Sequence, residues 1–132
     1  MASIPLGARG TFTLVVAPQH LANQFKDATL PPVLATPVMI MAMENAALNA
    51  VKPYLAAGES ALGTVVDVRH VAATPVGQRI VAEAKVTEVD GRRIAFKLVA
   101  RDEFEEIGQG THERVVVALS RIEARLAAKS RR

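Results

Sequence analysis

Alternating apolar and polar positions predict that most of this chain forms β-strands. From Gly10 to Ala17 the alternation puts Phe12, Leu14 and Val16 on one side, and Pro18 ends the strand. Asp90-Gly91, between two alternating runs, predicts a tight hairpin, and a second hairpin is expected to turn within Glu105–Gly108. Four further strands are predicted at Leu62–Val71, Gln78–Val89, Arg92–Phe104 and Gly110–Leu119.

One long apolar run has the helical period instead. Thr36-Pro37 predicts its start, because a threonine hydroxyl caps free N–H groups and proline suits the first helical position. The helix should reach Lys52, where Pro53 ends it. Residues three, four and seven apart share a helix face, which predicts a common apolar stripe for Ile40, Met41, Glu44, Ala47, Leu48 and Val51.

Glu44 is therefore a carboxylate on an apolar stripe, whereas the polar edge of the helix carries Asn45, Asn49 and Lys52. Burying a charged carboxylate without partners costs several kcal/mol. Glu44 is then either well hydrogen-bonded or held with a raised pKa for chemical work.

The remaining segments frame a single domain spanning residues 1–132. Gln19–Ala35 is irregular and predicts a loop with one short helical turn. Residues 1–9 and 121–132 are expected to be flexible ends, the second a frayed helix or a disordered tail. An apolar helix must be shielded from water on most sides. The element order therefore predicts an α+β hotdog fold, in which a curved antiparallel sheet of about five strands wraps around a central helix. A partner subunit is expected to shield the rest of the helix.

Composition excludes several kinds of chemistry. The chain has no cysteine, so disulfides, thiolate metal sites and a cysteine nucleophile are excluded, and a cytoplasmic location fits. His20, His70 and His112 are too scattered to predict a metal site by spacing. The net charge of +3 is mild and no glycine-rich phosphate loop occurs, so nucleic acid is not an expected partner. No apolar run is long enough to predict a membrane span, and the first residues lack the pattern of a secretory signal.

Candidate chemistry centres on Glu44 and His70. His70 continues the inward face predicted for Leu62, Val66 and Val68, so it can meet Glu44 and form a buried acid and base pair. Each residue also has a structural interpretation, because core histidines are commonly satisfied structural groups and buried glutamates often pair with arginine.

The helix start and two strand positions are further candidates. Thr36 is either a helix cap or a hydroxyl that places a water or a substrate carbonyl, with N–H donors from Val38 or Met39. Gly63 either begins a strand or admits a ligand closely. His112 and Arg114 share a strand face, for which an exposed ladder is the default; Arg114 can instead pair with a carboxylate or a phosphate.

Four segments carry a family resemblance: ATPVMIMAMENAA, GESALGTVVDVRHVAATPVG, VDGRRIAF and EIGQGTHERVVV. In order and spacing they resemble the fluoroacetyl-CoA thioesterase family, a branch of the hotdog thioesterases, over nearly all of Ala35–Leu119. The resemblance implies that Thr36, Glu44 and His70 are catalytic and that Gly63 and Arg114 are further active-site positions. It also implies a homodimer with its pocket at the subunit interface, which hydrolyses an acyl-CoA without a metal or redox cofactor.

By this resemblance Glu44 is the nucleophile or the activator of water, His70 moves protons and Thr36 orients the group under attack. The chain differs from the family's fluoroacetyl enzyme in the segment before the helix, where that enzyme carries aromatic lid residues and Phe25 is the only nearby ring. The leading hypothesis is therefore an acyl-CoA thioesterase for short or small acyl groups. A non-catalytic acyl-CoA binding or sensing module and a hotdog enoyl-CoA hydratase are the alternatives.

Overall fold

A computed structural model describes residues 1–131 as one curved antiparallel sheet around a central helix. The strands lie in the order β1-β3-β4-β5-β2, so β1 and β2 are the two edges. The hotdog fold predicted from the element order is confirmed. The strands are β1 (Arg9–Val15), β2 (Glu59–His70), β3 (Arg79–Asp90), β4 (Arg93–Arg101) and β5 (Glu106–Ala118). The helices are α1 (Ala22–Phe25), α2 (Thr36–Val51) and α3 (Leu119–Lys129), with short 3-10 turns at Pro18–His20 and Lys52–Tyr54.

The core lies between α2 and the concave face of the sheet. Met39 and Met43 of α2 and Phe96 of β4 are fully buried there. Alanines on the buried face of the helix let the backbones approach closely. Gly10 of β1 permits the closest approach, because a Cβ atom there would collide with the backbone of Ala46 and Ala50.

The buried face of α2 differs from the predicted stripe. Ala47 and Val51 are buried as expected, but Ile40, Glu44 and Leu48 are only half-buried and Met41 is 38% exposed. The helix is apolar almost all round, so its periodicity does not decide which side meets the sheet. The buried residues are Val38, Met39, Ala42, Met43, Ala46, Ala47, Ala50 and Val51.

Strand β2 contains an irregularity that changes its faces. The register shifts between Gly63 and Val65, leaving an extra residue on β2 opposite β5. Leu62 pairs with Val115, whereas Val66 pairs with His112. Positions 112 and 115 of β5 point to opposite faces, so the predicted common face of Leu62 with Val66 and His70 is wrong.

The second hairpin turns earlier than predicted. The Asp102 carboxylate accepts hydrogen bonds from the backbone N–H groups of Phe104 and Glu105. An aspartate that bonds to the backbone two and three residues on stabilises a turn. β5 therefore begins at Glu106, and the predicted turn within Glu105–Gly108 is wrong.

The two ends of the described chain make contacts of different extent. Ile4 is buried, and the Ala2 N–H donates to the Tyr54 carbonyl. Residues 119–129 form α3, which buries none of its side chains fully. The flexibility of residues 1–9 and 121–131 stays a prediction. Residue 132 lies outside the described residues. No helix within residues 1–131 combines the length and the apolar character needed to cross a bilayer.

Candidate functional site

The first residue of α2 and the last residue of β2 form a hydroxyl–imidazole pair. Thr36 Oγ1 lies 2.8 Å from His70 Nδ1. The helix cap is Ala35, so the Thr36 hydroxyl is directed to His70 and the predicted capping role is wrong. His70 Nε2 is buried and has no hydrogen-bond partner among residues 1–131.

Burial lowers the pKa of His70 below its usual value, and the Ala72 backbone only partly opposes this. A neutral imidazole is favoured because desolvation penalises the charged form. In that state one ring nitrogen carries a proton and donates a hydrogen bond, and the other accepts a hydrogen bond. The Thr36–His70 pair therefore has the geometry for proton transfer to or from a bound group.

The helix start offers its N–H groups less freely than predicted. The backbone N–H groups of Val38 and Met39 both donate to the Ala35 carbonyl, at 3.0 and 3.2 Å. Both side chains are buried in the core. A substrate-binding role for Val38 and Met39 stays a prediction.

A second cluster of residues surrounds Glu44. Gly63 has no side chain and so leaves space beside the Glu44 carboxylate. A Cβ atom at Gly63 would lie 2.8 Å from Glu44 Oε2. Arg114 Nη1 donates to the Glu44 backbone carbonyl at 3.3 Å. No side-chain hydrogen bond to the Glu44 carboxylate occurs within residues 1–131, so this half-buried group is open to a ligand.

Arg114 is a buried anchor and does not belong to an exposed ladder. Its Nε and Nη2 atoms donate to the Ala61 carbonyl at 3.1 and 2.6 Å. The side chain is only 8% exposed. Burial lowers the pKa of Arg114, and the charge of Glu44 opposes that shift. The default expectation for this strand face is therefore wrong, and the predicted pairing of Arg114 with a carboxylate takes the form of a charge interaction with Glu44.

His112 is the site residue that sequence reasoning missed. Its Nδ1 atom lies 2.7 Å from the Val65 carbonyl, which can only accept, so Nδ1 carries the proton. Its Nε2 atom then accepts from Arg114 Nη1 at 3.1 Å. His112 thus joins the bulge in β2 to the Arg114 guanidinium.

The surroundings of His112 keep it uncharged. Burial is the main reason that the pKa of His112 is lowered; Arg114 adds to this, while the Val65 carbonyl and Glu44 oppose it. The ring also stacks on Phe96, with 5.6 Å between centroids. The available sequence signal was the alternation that puts His112 and Arg114 on the same face of β5 as the apolar Val116. The structure shows that Val116 is buried, so this face points inward.

The structure separates the two clusters within one chain. Thr36 and His70 lie together, and Glu44 lies with Gly63 and Arg114. Six strand residues lie between Gly63 and His70, which are about 20 Å apart along β2 when the bulge residue is left out. The predicted meeting of Glu44 and His70 therefore does not occur inside one subunit. No group of three metal-ligating side chains assembles within residues 1–131.

A cleft of about 340 Å³ opens beside the hydroxyl–imidazole pair. Leu30, Val33 and Leu34 line it with apolar side chains, and Lys26 adds one charge. The lining contains no phenylalanine, tyrosine or tryptophan. An apolar cleft next to a proton-transfer pair is suited to a small apolar group attached to a reactive carbonyl.

The chain is similar to known thioesterases. The family model described as fluoroacetyl-CoA-specific thioesterase (FlK) matches residues 16–120. The fluoroacetyl-CoA thioesterase of Streptantibioticus cattleyicolor is 40% identical over 130 residues, covering 95% of this chain and 94% of that protein.

Two solved structures extend the similarity to the fold. A variant of FlK in complex with fluoroacetate and CoA has a TM-score of 0.84 at 39% identity, covering 89% of this chain and 98% of that one. A thioesterase superfamily member from Thermus thermophilus has a TM-score of 0.91 at 30% identity, covering 97% and 94% of the two chains.

The fold, together with these similarities, defines a hotdog thioesterase, a class of thioester hydrolases. Within that class, the chain belongs to the fluoroacetyl-CoA-specific thioesterase family. It is accordingly an acyl-CoA thioesterase, and the family resemblance predicted from its sequence is confirmed.

Proposed function

We propose that the protein is a homodimer that hydrolyses short or small acyl-CoA thioesters at sites built from both subunits. Each site combines Glu44, Gly63 and Arg114 of one subunit with Thr36 and His70 of its partner. The observation that carries this proposal is the position of the two clusters at separate points of the edge strand β2, one at Gly63 and one at His70.

The edge strand itself supports such a dimer. Every residue from Leu62 to Asp67 is exposed in the single chain, although three of them are large aliphatic residues. A long apolar edge strand with free backbone groups is a template for pairing with another strand. A partner would remove this liability.

A two-fold axis fits the proposed arrangement. An axis near the middle of the exposed stretch would pair β2 with its copy in antiparallel fashion. The end of β2 that carries His70 would then lie beside the Glu59–Gly63 half of the partner's strand. Two equivalent composite sites would result, each with a carboxylate and an imidazole.

The chemistry follows from the proton positions. Either Glu44 removes a proton from the water that attacks the thioester carbonyl, or its carboxylate attacks that carbonyl and displaces the CoA thiolate. The second route forms a mixed anhydride, which water then cleaves to release the acid and regenerate Glu44. The Thr36 hydroxyl orients the carbonyl, and the neutral His70 imidazole relays the proton released by the water to the departing CoA thiolate. The products are a free acid and CoA, and no redox or metal cofactor is needed for the balance.

The apolar cleft supports a small acyl group. Its walls carry aliphatic side chains in the segment where aromatic lid residues were expected for a fluoroacetyl enzyme. The related FlK variant binds fluoroacetate and CoA, which supports the same ligand class here. A cytoplasmic location stays a prediction, which cell fractionation would test.

The proposal is tested with a panel of CoA thioesters from acetyl to hexanoyl, including fluoroacetyl, with release of free thiol as the measurement. Glu44→Gln should lower kcat at least roughly 100-fold, because it keeps the volume but removes the base or nucleophile. Glu83→Gln is a matched control, since Glu83 is an exposed partner of Arg9.

Three outcomes would contradict the proposal. Unchanged kcat in Glu44→Gln would refute the role of Glu44. Saturable acyl-CoA binding without thiol release would indicate a binding module, and loss of enoyl absorbance without thiol release would indicate a hydratase.

A further inference from the structure

A second cavity, of about 430 Å³, lies where β5 runs into α3. Two guanidinium groups, from Arg92 and Arg121, stand at its wall. The rest of the lining is aliphatic and consists of Val116, Val117, Ala118 and Ile122. We call this cavity the arginine groove.

The positive charge of the arginine groove is only partly neutralised. Arg92 Nη1 lies 3.4 Å from Glu59 Oε2, and Glu59 also faces the amino terminus of Met1 at 3.4 Å. Arg121 forms no ion pair within residues 1–131. Guanidinium groups bind phosphates with two parallel hydrogen bonds and also stack on planar rings. A ligand with phosphates and an aromatic base fits this lining in both charge and polarity.

The groove is connected to the Glu44 cluster through β5. Arg114 lies at that cluster, and Ala118 lines the groove four residues further along the strand. Four strand residues span about 13 Å. In CoA the pantetheine arm separates the thioester from the phosphates by a length of the same order.

We propose that the arginine groove binds the nucleotide end of the acyl-CoA, which rests on the proposed thioesterase function. The phosphates pair with Arg92 and Arg121, and the adenine packs on the half-buried side chains of Val117 and Ile122. The catalytic clusters then act on the thioester, while affinity for the CoA portion comes from this separate site.

The test compares two substrates that share an acyl group. Butyryl-CoA carries the nucleotide, whereas the butyryl thioester of N-acetylcysteamine does not. Arg121→Ala should raise KM for butyryl-CoA roughly tenfold, as expected for loss of a charge-assisted hydrogen bond, and leave kcat nearly unchanged. With the N-acetylcysteamine thioester, the variant should match the wild type. Arg125→Ala is the matched control, because Arg125 lies one turn further along α3 and does not line the groove.

The outcomes separate this proposal from the thioesterase assignment. If the wild type hydrolyses butyryl-CoA and Arg121→Ala has the same KM, the groove proposal is overturned and the thioesterase assignment stands. Titration calorimetry with free CoA needs no turnover and tests the groove by itself. Roughly tenfold weaker binding in Arg121→Ala than in Arg125→Ala supports the proposal, whereas equal binding, or none in the wild type, overturns it.

Discussion

At the scale of single residues, the buried pair of His112 and Arg114 organises the carboxylate end of the site. The guanidinium is held by the Ala61 carbonyl and by a neutral imidazole, so its charge is compensated mainly through Glu44. His112 thus acts through Arg114 and is a positioning residue for Glu44.

Stability should depend on pH through the two buried histidines. The pKa values of His70 and His112 are lowered in the fold from the ordinary value of 6.5. The unfolded chain therefore binds more protons as the pH falls through that value, so stability is lost on acidification. We expect the urea midpoint to fall between pH 7.5 and pH 5.5 at fixed protein concentration.

His112→Gln separates the contribution of His112 from that of His70. At pH 7.5 we expect it to lower the free energy of unfolding by about 1–3 kcal/mol, because the Val65 carbonyl and Arg114 lose a well-placed partner. Between pH 7.5 and 5.5 its stability should change less than that of the wild type. An equal pH dependence in both proteins would contradict the assignment of a neutral His112.

At the scale of elements, β2 determines both the shape and the assembly of the site. Its bulge next to Gly63 brings the Val65 carbonyl to His112, and the glycine leaves space for Glu44. Its exposed middle is the proposed contact with the partner strand. Half-buried Ile40 and exposed Met41 offer apolar surface on the flank of α2 that carries Glu44.

A charge in the middle of β2 should therefore dissociate the dimer. Val66 on β2 and Val81 on β3 are each 39% exposed in the single chain. Val66→Lys should leave a single 14.1 kDa chain in light-scattering chromatography, with little activity, because a charged group at an apolar interface is costly. Val81→Lys, a matched change elsewhere on the sheet, should remain dimeric and active. Dissociation in both variants, or in neither, would contradict the proposed interface.

At the scale of the whole molecule, a composite site predicts that two inactive proteins restore each other. In a mixed dimer of Glu44→Gln with His70→Asn subunits, one site receives both substitutions and the other receives neither. Half of the dimers are mixed after random exchange, and one of their two sites is intact, so roughly a quarter of wild-type activity should return. A site contained in one subunit would give no recovery.

Mixing needs conditions in which subunits exchange. Co-expression with two different affinity tags supplies the mixed dimer directly, and purified single-tag dimers are the control. Recovery in the doubly tagged fraction alone would support the interface site.

The sequence alone determined the elements and the identity of most site residues. Alternation gave five strands and the 3.6 period gave the helix, because these periods reflect backbone geometry within one segment. Thr36, Glu44, His70, Gly63 and Arg114 were identified from residue type, position and family resemblance. All five line the two clusters, and their catalytic roles stay predictions.

Only the tertiary structure decided which of these residues meet. The bulge in β2 reverses strand faces with a single extra residue, and no local pattern announces it. The helix is apolar almost all round, so packing against β1 and β3, and not its periodicity, placed Glu44 on a half-buried flank. His112 depends on the Val65 carbonyl, which lies 47 residues away in the sequence. Glu44 and His70 lie beside different points of β2, because contacts between elements arise from the packing of the whole sheet.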